Sequence, residues 1–126
     1  MNQFLTVAIV DDDSGVRTSL SSLLRALGHV VRTYVSAREF IADASASASA
    51  PDLLLSDIQM PGMSGEQLQA ALIATGRTVP TIFMTAFPDE AVRRRLLAAG
   101  ARACLDKPID ADTLSRHLGA IRPHPD

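Results

Sequence analysis

Apolar positions recur along the chain in short runs bounded by turn-forming residues: TVAIV (6–10), VVRTYV (30–35), DLLLS (52–56), PTIFMT (80–85) and ARACL (101–105). Runs of this length predict strands. Between them the apolar spacing becomes helical: Val16, Leu20, Leu23, Leu24 and Leu27 fall on one face, as do Leu68, Ala71 and Leu72, and then Val92, Leu96 and Leu97. Gly28, Gly76 and Gly100 follow these segments, where a left-handed residue ends a helix, and Ser64 and Asp110 stand where N-caps belong. A last helix is expected over 111–121. The segment ASASASA (44–50) has too little apolar surface to anchor a core element. It reads as a frayed helix end and loop, with a docking loop as the alternative.

The strict alternation of strand and helix predicts an α/β domain. Right-handed crossovers lay each helix back on a parallel sheet, so helices cover both faces. The first and third runs are apolar throughout, as central parallel strands are. In open sheets of this kind ligands bind beyond the carboxyl ends of the strands. That rule selects Asp11, Asp12 and Asp13 after the first strand, Asp57 after the third, Thr85 at the end of the fourth and Lys107 after the fifth.

Composition narrows the function classes. A length of 126 residues suits one domain with one core, so any output activity is expected to be small or to lie elsewhere. Residues 1–122 are expected to form the domain and 123–126 a tail or the start of a linker. With 47% hydrophobic and 21% charged residues the chain is a compact globule rather than a disordered one. A net charge of −2 and a pI near 5.8 argue against a nucleic-acid-binding face. No apolar run approaches the roughly 20 residues that span a bilayer, and MNQFLTVAIV lacks the basic n-region of a signal peptide and reads as a first strand. The single Cys104 supplies neither an internal disulfide nor a cysteine zinc site, which fits a reducing cytoplasm.

Each candidate taken singly has a bland reading: Asp11 to Asp13 as helix caps, Lys107 as a surface lysine, Thr85 as an ordinary strand residue. Brought to one sheet edge they mean more. Carboxylates there repel by about 4 kcal/mol per pair at 4 Å and an effective dielectric near 20, so a compensating cation is expected. Hard oxygen ligands with room for water favour Mg2+. With an ammonium from Lys107 and a hydroxyl from Thr85, the set matches phosphoryl transfer, which runs on positioning and charge neutralisation.

The motifs IVDDD (9–13), LLLSDIQMPGMSG (53–65), FMTA (83–86) and LDKP (105–108) resemble those of the receiver domains of two-component response regulators, and the wording of the first two is similar to regulators of the FixJ type. The resemblance covers nearly the whole chain. It implies a flavodoxin-like (βα)5 doubly wound sheet in the order 2-1-3-4-5 and a phosphoryl acceptor at Asp57. It also implies Mg2+ held by Asp12, Asp57 and the backbone carbonyl of Gln59, with Asp11 acting through water, and Thr85 and Lys107 contacting phosphoryl oxygens. The implied donor is a sensor histidine kinase or phosphotransfer protein. The implied output surface, which also pairs homodimers, is the fourth helix, fifth strand and fifth helix, and Lys107-Pro108 is implied to be cis. The three consecutive aspartates leave open whether Asp12 or Asp13 takes the metal role.

Two positions depart from the family pattern. Cys104 stands three residues before the lysine, where the family carries an aromatic switch residue, so the switch is expected to run through loop and helix movement around Phe87 or to be weak. Phe87, two residues after Thr85, is the other departure, and its apolar ring is expected to shield an acyl phosphate and slow self-dephosphorylation. Arg93, Arg94 and Arg95 read as a solvated face or a partner contact. The rival reading is a small Mg2+-dependent phosphatase of the haloacid-dehalogenase type, with Asp11 as nucleophile and Asp13 as general acid. It leaves the DIQMPGMSG segment unexplained.

Overall fold

The computed structural model describes residues 4–46 and 50–123, the side chains of 44–46 excepted. Five strands alternate with five helices: β1 (Thr6–Val10), α1 (Ser14–Ala26), β2 (Val30–Tyr34), α2 (Ala37–Ala46), β3 (Leu53–Asp57), α3 (Gly65–Ala74), β4 (Thr81–Thr85), α4 (Glu90–Ala98), β5 (Ala103–Asp106) and α5 (Ala111–Gly119). All neighbouring strands are parallel, in the order β2-β1-β3-β4-β5. Every residue of β3 and β4 is buried, whereas the edge strands β2 and β5 are largely half-buried or exposed.

The period-2 alternation of the strands divides the core between the two faces. Val7 and Ile9 of β1, Leu53 and Leu55 of β3 and Ile82 and Met84 of β4 pack with Leu20 and Leu24 of α1 and Leu114 and Leu118 of α5. Ala8, Val10 and Leu54 face the other way, onto Phe40 of α2 and Leu68 and Leu72 of α3. Phe83 packs with Leu96 of α4. Each fully buried leucine or phenylalanine contributes roughly 1.5–3 kcal/mol.

The helix ends follow the sequence signals. Ser64 and Asp110 cap α3 and α5, and Ser64 forms a capping box with Gln67. Gly28, Gly76 and Gly100 have positive φ, and each sits in a paired C-terminal motif, as where His29 N–H donates to Leu24 O and Gly28 N–H to Arg25 O. Strand limits differ by a residue or two from those expected. β3 runs one residue further and ends on Asp57 itself, and β4 starts after Pro80, which has no N–H to give. β5 starts two residues late because the Ala101 N–H is committed to Leu96 O at the end of α4. α5 stops at Gly119. Of the ASASASA segment, 44–46 end α2, while 47–49 lie outside the described residues, as do 124–126 of the expected tail.

Candidate phosphoryl-acceptor site

The carboxyl ends of β1, β3 and β5 bring four of the expected side chains together. Carboxylate oxygens of Asp11, Asp12 and Asp57 all lie within 4.8 Å of one another. Asp11 is fully buried and Asp57 only 5% exposed, whereas Asp12 faces solvent. The Lys107 ammonium reaches into the cluster, 2.7 Å from Asp11 Oδ2 and 3.4 Å from Asp57 Oδ2. The Lys107-Pro108 peptide is cis, as expected. Thr85 is buried at the end of β4, but its hydroxyl is engaged: it donates to Gln59 Oε1 at 2.8 Å and accepts from the Phe87 N–H at 2.9 Å.

Charge is finely opposed here. Burial raises the Asp57 pKa and the charge of Asp11 raises it further, while Lys107 and the Gln59 N–H pull it down. Burial disfavours the Lys107 charge, yet its hydrogen bond to Asp11 and the charges of Asp57 and Asp11 outweigh this and hold its pKa above the ordinary value. The pocket thus concentrates acidic oxygen around one cation, the environment that favours a further hard cation.

Asp13 is not part of that cluster. Its Oδ1 accepts from Gly15 N–H and Val16 N–H, capping α1. Of the three consecutive aspartates, Asp11 and Asp12 thus stand in the cluster and Asp13 caps α1, where the phosphatase reading needs a free general acid.

Comparison with known proteins decides the family. The profile of the response regulator receiver domain matches residues 7–119. The response regulator protein TmoT of Ectopseudomonas mendocina is 36% identical over 121 residues, 96% of this chain and 53% of TmoT. The transcriptional regulatory protein FixJ of Azorhizobium caulinodans is 36% identical over 110 residues, 87% of this chain and 51% of FixJ. The crystal structure of a response regulator receiver protein from Burkholderia phymatum superposes with a TM-score of 0.79 at 42% identity, covering 91% of this chain and 92% of that one. The chain belongs to the response regulator receiver family. It spans about half the length of the two curated relatives named. The receiver is a phosphoacceptor module of two-component signalling, and the phosphatase reading is not favoured.

Sequence reasoning missed several supports of the receiver site. Arg17 Nη1 donates to the Asp11 carbonyl at 2.7 Å, and Ser56 Oγ donates to the Asp57 carbonyl at 2.9 Å. The Gln59 side chain, assigned no role, is the acceptor for Thr85. Gly65 carries a signal that was legible: its N–H donates to Ile58 O at 2.8 Å, so α3 begins directly against the end of β3. The arginine run on α4 is a salt-bridged face, with Arg95 paired to Glu66 at 2.6 Å and Arg93 to Glu90 at 3.5 Å.

Proposed function

We propose that the Asp57 carboxylate takes a phosphoryl group from the phosphohistidine of a sensor histidine kinase or phosphotransfer protein, and that the aspartyl phosphate switches an output surface. The observation that carries this reading is the convergence of three carboxylates, within 4.8 Å, on the Lys107 ammonium at strand ends. Hard oxygen donors fit Mg2+; Asp11, Asp12, Asp57 and the Gln59 backbone carbonyl would hold it. When bound, it neutralises charge that builds between the nucleophile and the phosphoryl oxygens. An Asp57 oxygen attacks phosphorus, the P–N bond breaks, and the imidazole nitrogen leaves with the bonding pair. Lys107 holds its charge toward the arriving oxygens, and Thr85 exchanges Gln59 for a phosphoryl oxygen.

The domain works as a cytoplasmic signalling phosphoacceptor that assists only its own phosphorylation and dephosphorylation. Among the described residues no helix is long and apolar enough to cross a membrane. Residues 1–122 act as the receiver and 123–126 as a tail or the start of a linker, and α4, β5 and α5 form the homodimer surface. The share of FixJ that the chain matches, and that protein's transcriptional role, support an output in transcription.

The test is incubation with acetyl phosphate and Mg2+, read by intact mass. One phosphoryl adduct is expected in the wild type, and none in Asp57→Asn or with chelator. An adduct that survives in Asp57→Asn and disappears in Asp11→Asn overturns the assignment in favour of the phosphatase chemistry.

A further inference from the structure

On the outer flank of α1, against the edge strand β2, a groove of about 250 Å3 is lined by Arg17, Thr18, Ser21, Ser22, Arg25 and Thr33, with Ser14 at its end. None of these side chains lies in the acidic cluster, and only Arg17 reaches toward it, through the Asp11 carbonyl. Two guanidiniums and five hydroxyls line it, and no carboxylate does. Ser21 is 8% exposed, and its hydroxyl is the one buried side-chain polar atom among the described residues that meets no hydrogen-bond partner. A buried hydroxyl without a partner is an unmet demand that a bound polar group satisfies. Arg17 spends Nη1 on the Asp11 carbonyl, and a guanidinium carries five N–H donors, so donors remain for a ligand.

We propose that this groove binds a phosphate-class oxyanion, either inorganic phosphate or the head of a small phosphomonoester. Guanidinium forks and hydroxyl donors are the set that matches tetrahedral phosphate oxygens. The volume is below the ~300 Å3 at which pockets for drug-sized molecules begin, so the group recognised is compact. Arg17 joins this groove to the backbone of Asp11, which places the bound anion one side chain away from the acidic cluster.

The experiment is an amide chemical-shift titration of the Asp57→Asn protein with inorganic phosphate, in chelator and at constant ionic strength set with chloride. Removing the acceptor and the divalent cation separates this result from the fate of the phosphorylation reading. Saturable shifts confined to 14–25 and 33 are expected, weakened about tenfold or more in Arg25→Gln. Ser21→Ala, which keeps both arginines, is expected to weaken binding less. Shifts that do not saturate, that chloride alone reproduces, or that persist unchanged in Arg25→Gln overturn the site. Saturation by glutamate as tight as by phosphate overturns the phosphate assignment, and a phosphoserine titration as tight as inorganic phosphate supports the monoester form.

Discussion

A Cβ on Gly65 would stand 2.6 Å from the Asp57 carbonyl oxygen and 3.0 Å from Ile58 Cα. Both are backbone atoms, and neither moves without moving the end of β3. Gly65→Ala is therefore expected to lower stability by about 1–3 kcal/mol, the usual range for overpacking, in urea denaturation. Its phosphorylation by acetyl phosphate should slow as Asp57 is displaced; wild-type stability in the variant would show that α3 retreats freely. His29 makes a different kind of contact. Its Nδ1 accepts from the Leu5 N–H at 3.1 Å, which only an unprotonated ring nitrogen can do, and burial lowers its pKa below the ordinary 6.5. A depressed pKa stabilises the fold above the unfolded value, and that contribution is lost as pH falls through the folded one. His29→Gln, which retains an acceptor, is expected to flatten the loss of stability as pH falls below about 6.5. Parallel pH–stability curves for the two proteins would remove His29 from the balance.

At the scale of elements, the start of α3 holds the DIQMPGMSG segment in place. Ser64 Oγ accepts from Gln67 N–H at 3.1 Å and Gln67 Oε1 accepts from Ser64 N–H at 2.9 Å, so two otherwise orphaned donors are satisfied. Ser64→Ala removes one half of that box and should cost about 1 kcal/mol, measured as a fall in the denaturation midpoint with unchanged slope. Such caps were legible in the sequence because they are local: a hydroxyl or carboxylate one residue before a helical apolar pattern, a glycine just after it. The alternation that yields the sheet was legible for the same reason. The strand limits were less so, since whether Ala101 extends β5 depends on its N–H being claimed by Leu96 of the preceding helix. The partnerships of Gln59 with Thr85, 26 residues apart, and of Lys107 with Asp11, 96 apart, depend on the folded sheet edge. The chemistry at strand ends could point to Lys107 and Asp11 as types, while Gln59 offered only its backbone to a sequence reading.

Across the whole molecule, the proposed aspartyl phosphate at the end of β3 has to act on the proposed output surface of α4 and β5 through the residues between them. A cavity of about 250 Å3 lies between the β4–α4 loop and β5, lined in part by Ile58, Thr85, Phe87, Val92 and Cys104. Cys104 is small and its thiol is raised in pKa by burial, so it fills little of that space and stays protonated. Phe87 is 73% exposed at the rim, and its peptide N–H is tied to the Thr85 hydroxyl. In the proposed switch, Thr85 turning toward a phosphoryl oxygen releases Gln59, and the Phe87 peptide must either follow or lose its acceptor. Because the tie is through the peptide, the ring is not needed to carry the motion. Amide resonances over 86–104 should therefore shift on phosphorylation in the wild type and in Phe87→Ala, and remain in place in Thr85→Ala that intact mass shows to be phosphorylated. Full phosphorylation of the wild type with resonances unchanged over 86–104 would break this route, and the output would then have to leave the site through α1 or α3.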